Sequence, residues 1–303
     1  MMKFVNTEFL TEVSPEKSNY KIVYVDLAHR CNMECANCYL PNRDFPDIDT
    51  DRLLDTVNRF TVRTEFRFIG GEPTLHKDLF KITKAITTMP LKHRTTLVTN
   101  GLRLSNLNYV QRLKDAGLTT VYLSLNGADD DDVYSITDNL KCAKKKVKAL
   151  KNIAKVGLKL AIGCIVVRDV NEHVPARIKA LLDEAGIYAS LEFRNIGQVG
   201  RYMKDGVNYT FDEVLHMIAK VFDINLTSKD WLYSIIDDDA YSIYFPVDPS
   251  KSKILKTNSI RISDWSRMRK GYSAKTNERR GRLTQNFKIA QYFEHLKENE
   301  NGY

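Results

Sequence analysis

No apolar stretch in this 303-residue sequence approaches the about 20 residues needed to cross a bilayer; the longest, Ala161–Val167, reads AIGCIVV. The N-terminal MMKFVNTEFLTEV has no apolar core followed by a small-residue cleavage site, so no secretion signal is expected and a cytoplasmic location is. There is no low-complexity tract, and no internal repeat beyond a βα unit. Cysteine is scarce: five residues, an odd number, with three of them inside eight positions and none beyond Cys164. That argues against a disulfide framework, and in a reducing compartment clustered thiols point to metal or cluster ligation.

What is present is ordinary in bulk and uneven in detail. Hydrophobic content of 43% and charged content of 28% suit a globular chain. A length of 303 residues exceeds one average domain but can be filled by a single α/β barrel core. The net charge of +8 is concentrated beyond residue 250: Lys251–Tyr303 carries 13 Lys and Arg against 5 Asp and Glu, while the preceding residues balance at 33 of each sign. Such asymmetry fits either an anionic partner or a solvated basic face.

Six β-type runs, at 21–28, 65–70, 94–100, 119–126, 158–167 and 189–197, alternate with amphipathic helical ones. Several read as apolar on both faces, the pattern of buried parallel strands. In the clearest helix Leu140, Ala143, Val147, Leu150 and Ala154 form a stripe with lysines opposite and Gly157 as the terminating residue. Ser105 is a candidate N-cap for the helix before Gly117, and another helix runs from about Glu172 to Ala185. Six βα units in order predict a parallel sheet with right-handed crossovers, open or curled into a partial barrel. Either way ligands gather at the carboxyl ends of the strands. Beyond Phe222 the pattern becomes irregular strands, a basic linker RMRKGYSAKTNERRGR, and a last helix over about 284–297 with Phe287, Ile289 or Ala290, Phe293 and Leu296 on one stripe. This divides the chain into a core at 1–222 and a basic extension at 223–303 packing on it. The acidic runs 129–132 and 237–239 are cation candidates, or plain solvated turns.

Cys31, Cys35 and Cys38 follow the first strand in HRCNMECANCYL, a C-x3-C-x2-C spacing. Three thiolates leave one iron of a 4Fe–4S cube open, and an open position is where metal chemistry occurs. The competing reading is a zinc site of three cysteines with His29 or His76, in a non-catalytic zinc- or Fe–S-binding protein.

CNMECANC resembles the cluster loop of the radical S-adenosylmethionine (SAM) superfamily, and the resemblance extends over residues 20–200. It implies a partial (β/α)6 barrel with a mixed strand and helix extension. It also implies a 4Fe–4S cluster held by the three cysteines, and SAM chelated at the open iron. The cluster's electron then cleaves SAM, and the resulting 5′-deoxyadenosyl radical abstracts hydrogen from a substrate. GGEPTLH after the second strand resembles the family's GGE motif, which places Gly70, Gly71 and Glu72 at the SAM amino group; glycines allow close backbone approach, and a carboxylate suits an ammonium. VTNG brings Thr99 and Asn100 to the same rim. LSLNG brings Ser124 and Asn126, which the family's pattern assigns to the ribose or the methionyl carboxylate, although Asn-Gly is also a common turn pair. RNIGQVG offers Asn195 and Ile196 for adenine contact, and IGCIVV an apolar wall. The family's aromatic residue before the third cysteine is absent: Asn37 stands there, and Tyr39 follows. Cys142 and Cys164 read as structural.

For the substrate the sequence offers hints only, and it names no catalytic residue. With no cysteine beyond Cys164, a single cluster is expected and a cysteine-rich auxiliary-cluster extension is not. About twenty residues precede the first strand, which leaves no expected leader-binding domain. Both points weigh against a peptide-modifying maturase, which stays as an alternative. Arg194 and Arg201 are candidates for a substrate carboxylate or phosphate. A small molecule, a nucleotide or a nucleic-acid-borne group is the expected substrate, with the basic, aromatic C-terminal segment as a possible polynucleotide contact. A flavodoxin or ferredoxin is the reductant the resemblance implies.

Overall fold

The computed structural model describes residues 12–38, 40, 43–196, 208–226, 242–246, 259–264 and 280–291. Tyr39, Arg201, the acidic run 237–239, Trp265, Phe293 and Leu296 lie outside them. Six strands form where expected: β1 (Ile22–Ala28), β2 (Glu65–Gly70), β3 (Arg94–Thr99), β4 (Thr120–Ser124), β5 (Lys159–Ile165) and β6 (Ser190–Arg194). They pair in parallel and in chain order. Between them run α1 (Thr50–Asn58), α2 (Leu79–Thr88), α3 (Leu107–Asp115), α4 (Asp131–Thr137), α5 (Ala143–Val156) and α6 (Val174–Ala185), with α7 (Phe211–Val221) after β6.

Local chemistry sets the helix ends. The Asp49 carboxylate accepts from Arg52 N at the start of α1. Gly157 and Gly186 end α5 and α6 in the left-handed region, where a side chain is strained. Thr210 and Glu213 form a reciprocal capping box on α7. For α3 it is Asn106, not Ser105, that caps, accepting from Tyr109 N. The α5 stripe also differs from expectation. The helix begins at Ala143, Leu140 lies outside it and exposed, and Lys146 is buried rather than facing solvent. Lys146 can be buried because its ammonium meets the Asp138 carboxylate at 3.1 Å and the Ser124 carbonyl at 3.0 Å.

The sheet is wider than six strands. β7 (Ser242–Pro246), β8 (Ser259–Ser263), β9 (Arg280–Leu283) and β10 (Ile289–Gln291) complete the order β10-β9-β1-β2-β3-β4-β5-β6-β8-β7, which leaves it open. β8 pairs in parallel with β6, and β9 in parallel with β1; β7 and β10 are antiparallel outer strands. Two expectations fail here. The last residues of the basic linker form β9, and Ile289–Gln291 is a strand, not part of a helix. A short apolar run satisfies either period, and here Ile289 and Ala290 are buried by pairing back on β9 through a tight turn at Thr284–Lys288.

The two faces of the sheet are chemically opposite. Val23, Val25, Leu27, Phe66, Phe68, Leu97, Val121, Leu123, Ile162, Leu191 and Phe193 point to the helices and form the core. Alternate residues on the other face include Tyr24, Asp26, Glu65, Arg67, Thr96, Tyr122, Glu192 and Arg194. Only β5, with Ala161, Gly163 and Ile165 on the inner face, is apolar on both faces among these six strands; the others carry polar or charged side chains inward.

Candidate active site at the carboxyl ends of the strands

The loop carrying Cys31, Cys35 and Cys38 leaves the end of β1 and is clamped by the end of β2. Gly71 N donates to Ala28 O at 2.7 Å, and Glu72 N to Arg30 O at 3.0 Å. A side chain on Gly71 would sit 2.2 Å from His29 O, and one on Gly70, at φ +121°, 2.3 Å from Ala28 O. The glycine pair is thus what lets the two backbones touch. Ala36 N, bonded to Thr137 O at 2.9 Å, ties the far side of the loop to α4.

The three thiols are free and half-buried. Burial pushes Cys31 and Cys35 upward, with Glu72 adding to the shift at Cys31 and Asp138 at Cys35. Each thiol lies within electrostatic reach of the others and of Arg43, whose guanidinium hydrogen-bonds Cys38 and donates to Met33 O. Asn100 Nδ2 lies 3.9 Å from Cys31 Sγ and 2.8 Å from Asn32 Oδ1. Three soft ligands on one loop, with a cation to balance their charge, fit an iron–sulfur cluster. His76 is not free to complete a zinc site: Nε2 meets Ile48 O and Nδ1 accepts from Asp78 N. Among the described residues no three His, Cys, Asp or Glu side chains close around one point as the ligands of a single metal ion do. The acidic run at 129–132 is otherwise engaged: Asp129 with Arg177, Asp130 as the cap of α4, Asp131 with Ala143 N. Cys142 and Cys164 are buried in the helix-side core, where desolvation pushes their thiols up to about 11 and about 12.

Glu72 is completely buried. Its Oε1 accepts from Thr74 N at 3.0 Å and Thr99 Oγ1 at 2.7 Å, and its Oε2 from Asn100 N at 2.8 Å. The carboxylate therefore fixes the end of β3 against the end of β2. At the end of β4, the Ser124 side chain is half-buried, and its hydroxyl has no hydrogen-bond partner among the described residues. Asn126 is buried and used: Oδ1 accepts from Ile165 N at 3.0 Å, and Nδ2 donates to Asp138 at 3.2 Å. Asn171, which no motif in the sequence marks, donates to Asn126 O and Ile165 O and accepts from Val167 N. With Lys146 and Asp138 these amides form a closed polar network beneath the ends of β4 and β5.

Ile165, Val167 and Ile196 make a small apolar cluster at the ends of β5 and β6, backed by Val170 and separate from the main core. Asn195, alongside, is fully buried and donates to Tyr209 O and Asp264. Arg194 stands on the inner face in a charged layer. There Tyr122 OH donates to Glu192 at 2.8 Å, Ser263 Oγ donates to it at 3.0 Å, and Arg261 lies 3.9 Å away. Burial alone would raise the Glu192 carboxyl, but Arg261 and Arg194, with those hydrogen bonds, hold it at about 2. On the opposite side Arg67 bonds Glu65 and Tyr24, and Arg282 donates to Asp26 at 2.6 Å. Among the described residues Arg67, Arg94, Arg194, Arg261, Arg280 and Arg282 occupy inward register positions, beside the carboxylates Asp26, Glu65 and Glu192. Among the described residues this face is rich in guanidinium groups.

Comparison with known proteins agrees with this arrangement. The Radical SAM superfamily profile matches residues 25–182. A 7,8-dihydro-6-hydroxymethylpterin dimethyltransferase of Methanocaldococcus jannaschii is 26% identical over 227 residues, 71% of this chain and 44% of that protein. A GTP 3′,8-cyclase of Aliarcobacter butzleri is 27% identical over 208 residues, 65% of this chain and 62% of that one. The chain thus spans about half to three-fifths of these relatives. In fold it is similar to Streptococcus suis SuiB bound to S-adenosylmethionine, with a TM-score of 0.57 and 19% identity over 68% of this chain and 48% of that one.

Proposed function

This chain belongs to the radical SAM superfamily, whose enzymes use a 4Fe–4S cluster and SAM, and from that premise we propose that it is a one-cluster enzyme acting on a polar, anionic small molecule or nucleotide. When bound, the cluster supplies the electron that cleaves SAM to methionine and a 5′-deoxyadenosyl radical, which takes hydrogen from the substrate. Cys31, Cys35 and Cys38 would hold the cluster, with Arg43 balancing its charge. The backbone of Gly70–Glu72 and the Asn100 side chain border the site of the SAM amino acid moiety. The free Ser124 hydroxyl is the candidate for a ribose or carboxylate contact, while Asn126 supports it from below through Asp138 and Lys146. The Ile165–Val167–Ile196 cluster supplies an apolar wall for adenine, with Asn195 holding the backbone there.

The observation that carries the substrate reading is the density of guanidinium groups on the inner face: among the described residues Arg67, Arg94, Arg194, Arg261, Arg280 and Arg282 share it with Asp26, Glu65 and Glu192. Guanidinium groups in a concave site select carboxylate or phosphate. Arg194 is the described candidate; Arg201 lies outside the described residues. A nucleic-acid substrate is less well supported, because Arg280 and Arg282 of the basic segment are buried in the sheet. A low-potential protein such as flavodoxin or ferredoxin is the reductant we expect, in a cytoplasmic setting; no helix among the described residues is long and apolar enough to cross a membrane.

The test is anaerobic reconstitution followed by iron and sulfide analysis, then reduction with SAM and pools of nucleotides, sugar phosphates or organic acids. About four iron and four sulfide per chain, with 5′-deoxyadenosine rising when one anionic pool is added, is the expected result. Zinc in place of iron would refute the enzyme reading, and a response confined to uncharged compounds or to peptides would refute the substrate class.

A further inference from the structure

A cavity of about 330 Å³ lies between the start of the cluster loop, the segment 45–49 and the β9–β10 turn. Its wall includes Asp26, His29, Thr284, Arg282, Phe45 and Phe287. Among the described residues, three of these carry buried polar atoms with no hydrogen-bond partner: Asp26 Oδ1, His29 Nδ1 and Thr284 Oγ1. A buried, unsatisfied polar atom costs about 1–3 kcal/mol, so most folded proteins leave few of them. Three around a single cavity, from β1, the cluster loop and the β9–β10 turn, are a concentration that a bound molecule relieves.

The wall also defines that molecule. Arg282 takes Oδ2 of Asp26, which leaves Oδ1 as an acceptor for one N–H. Thr284 Oγ1 and His29 Nδ1 can each donate or accept. The rings of Phe45 and Phe287 offer flat apolar surface; Phe45 sits 5.1 Å from His29, and Arg52 stacks on Phe287 at 4.1 Å. Asp47 and Asp49 also line the cavity, Asp47 paired with Arg30, Asp26 with Arg282 and Asp49 capping α1, so the wall is near charge balance and suits a neutral group. A planar, neutral, nitrogen-rich ring with an N–H edge meets each of these conditions, and the volume admits a purine-sized body.

We propose that this cavity seats the heterocyclic ring of the substrate, a purine-type nitrogen heterocycle whose N–H edge meets Asp26 and Thr284. The inference rests on the functional reading above in calling the ligand a substrate, and it divides the molecule: ring in this charge-balanced cavity, anionic groups toward Arg194 on the inner face.

Binding and chemistry are tested separately. The anaerobically reconstituted full chain is titrated without SAM or reductant, by calorimetry, with guanosine, inosine and adenosine. Thr284→Val removes the hydroxyl and keeps the shape; Asp26→Asn removes the charge, and thermal unfolding shows whether each variant is folded. At least one nucleoside should bind below about 1 mM and weaken about tenfold or more in a folded variant. No binding by any of the three, or affinity unchanged in both variants, overturns the proposal. SAM cleavage with another substrate, in a protein that binds no nucleoside, removes this inference and leaves the functional reading standing. Nucleoside binding in a protein that never cleaves SAM does the reverse.

Discussion

Glu72 serves three donors at once, Thr74 N, Thr99 Oγ1 and Asn100 N, with no exposed surface. Replacing it with alanine strands all three in the interior, at about 1–3 kcal/mol each. Glu72→Ala should therefore lower the melting temperature of the cluster-free protein as well as weaken SAM binding. A loss of SAM affinity with unchanged melting would mean that the carboxylate acts on the ligand alone. Cys35→Ala should remove the cluster and all SAM cleavage, which iron and sulfide assays and the visible spectrum will register. Arg43 makes a separate case, since its charge faces all three thiols. Cluster potentials follow local charge and hydrogen bonds. Arg43→Gln should shift the midpoint potential downward in an electron-paramagnetic-resonance titration while iron content is retained; an unshifted potential would show that the guanidinium only supports Met33 O.

Strand and helix positions were largely legible because one face of each strand is apolar at period two, as in the Phe66–Phe68 pair, and glycine stops such as Gly157 end the helices. The charged inner face was harder to read, since Asp26, Arg67 and Glu192 look like interruptions of a buried strand until the curvature gives them a cavity. The thiol loop and GGE lay close together in sequence and could be read directly. Lys146, Asn171 and Arg43 could not: a lysine on an apolar helix stripe looks solvated until Asp138 is found opposite. β9 was hidden in a run of basic residues, where only the inward spacing of Arg280 and Arg282 around Gly281 hinted at a strand. The Glu192 layer, joining β4, β6 and β8, has a measurable signature. Its carboxyl sits at about 2 against the ordinary 4.5, so it stabilises the fold above pH 4.5, and this contribution is lost as pH falls toward 2. Glu192→Gln should flatten the acid limb of the melting-temperature profile in that window. For α5, Lys146→Met should cost about 3–5 kcal/mol by leaving Asp138 buried and unpaired, measured by denaturant titration.

The molecule is closed on its cluster-bearing side by residues far away in the chain. β9 pairs with β1, and the Asp26–Arg282 bond joins positions 256 apart. A variant ending after residue 264 should expose the edge of β1, melt at lower temperature and self-associate on gel filtration; an unchanged monomer would show that β9 is dispensable. The same pairing bears on how the protein is made. A ribosome delivers β1 early and its outer neighbour only after the whole intervening barrel has emerged, so throughout translation the strand leading into the thiol loop has one naked flank. Until β9 arrives that edge is open to pairing with another chain, so limiting chaperone supply during synthesis should lower the soluble yield.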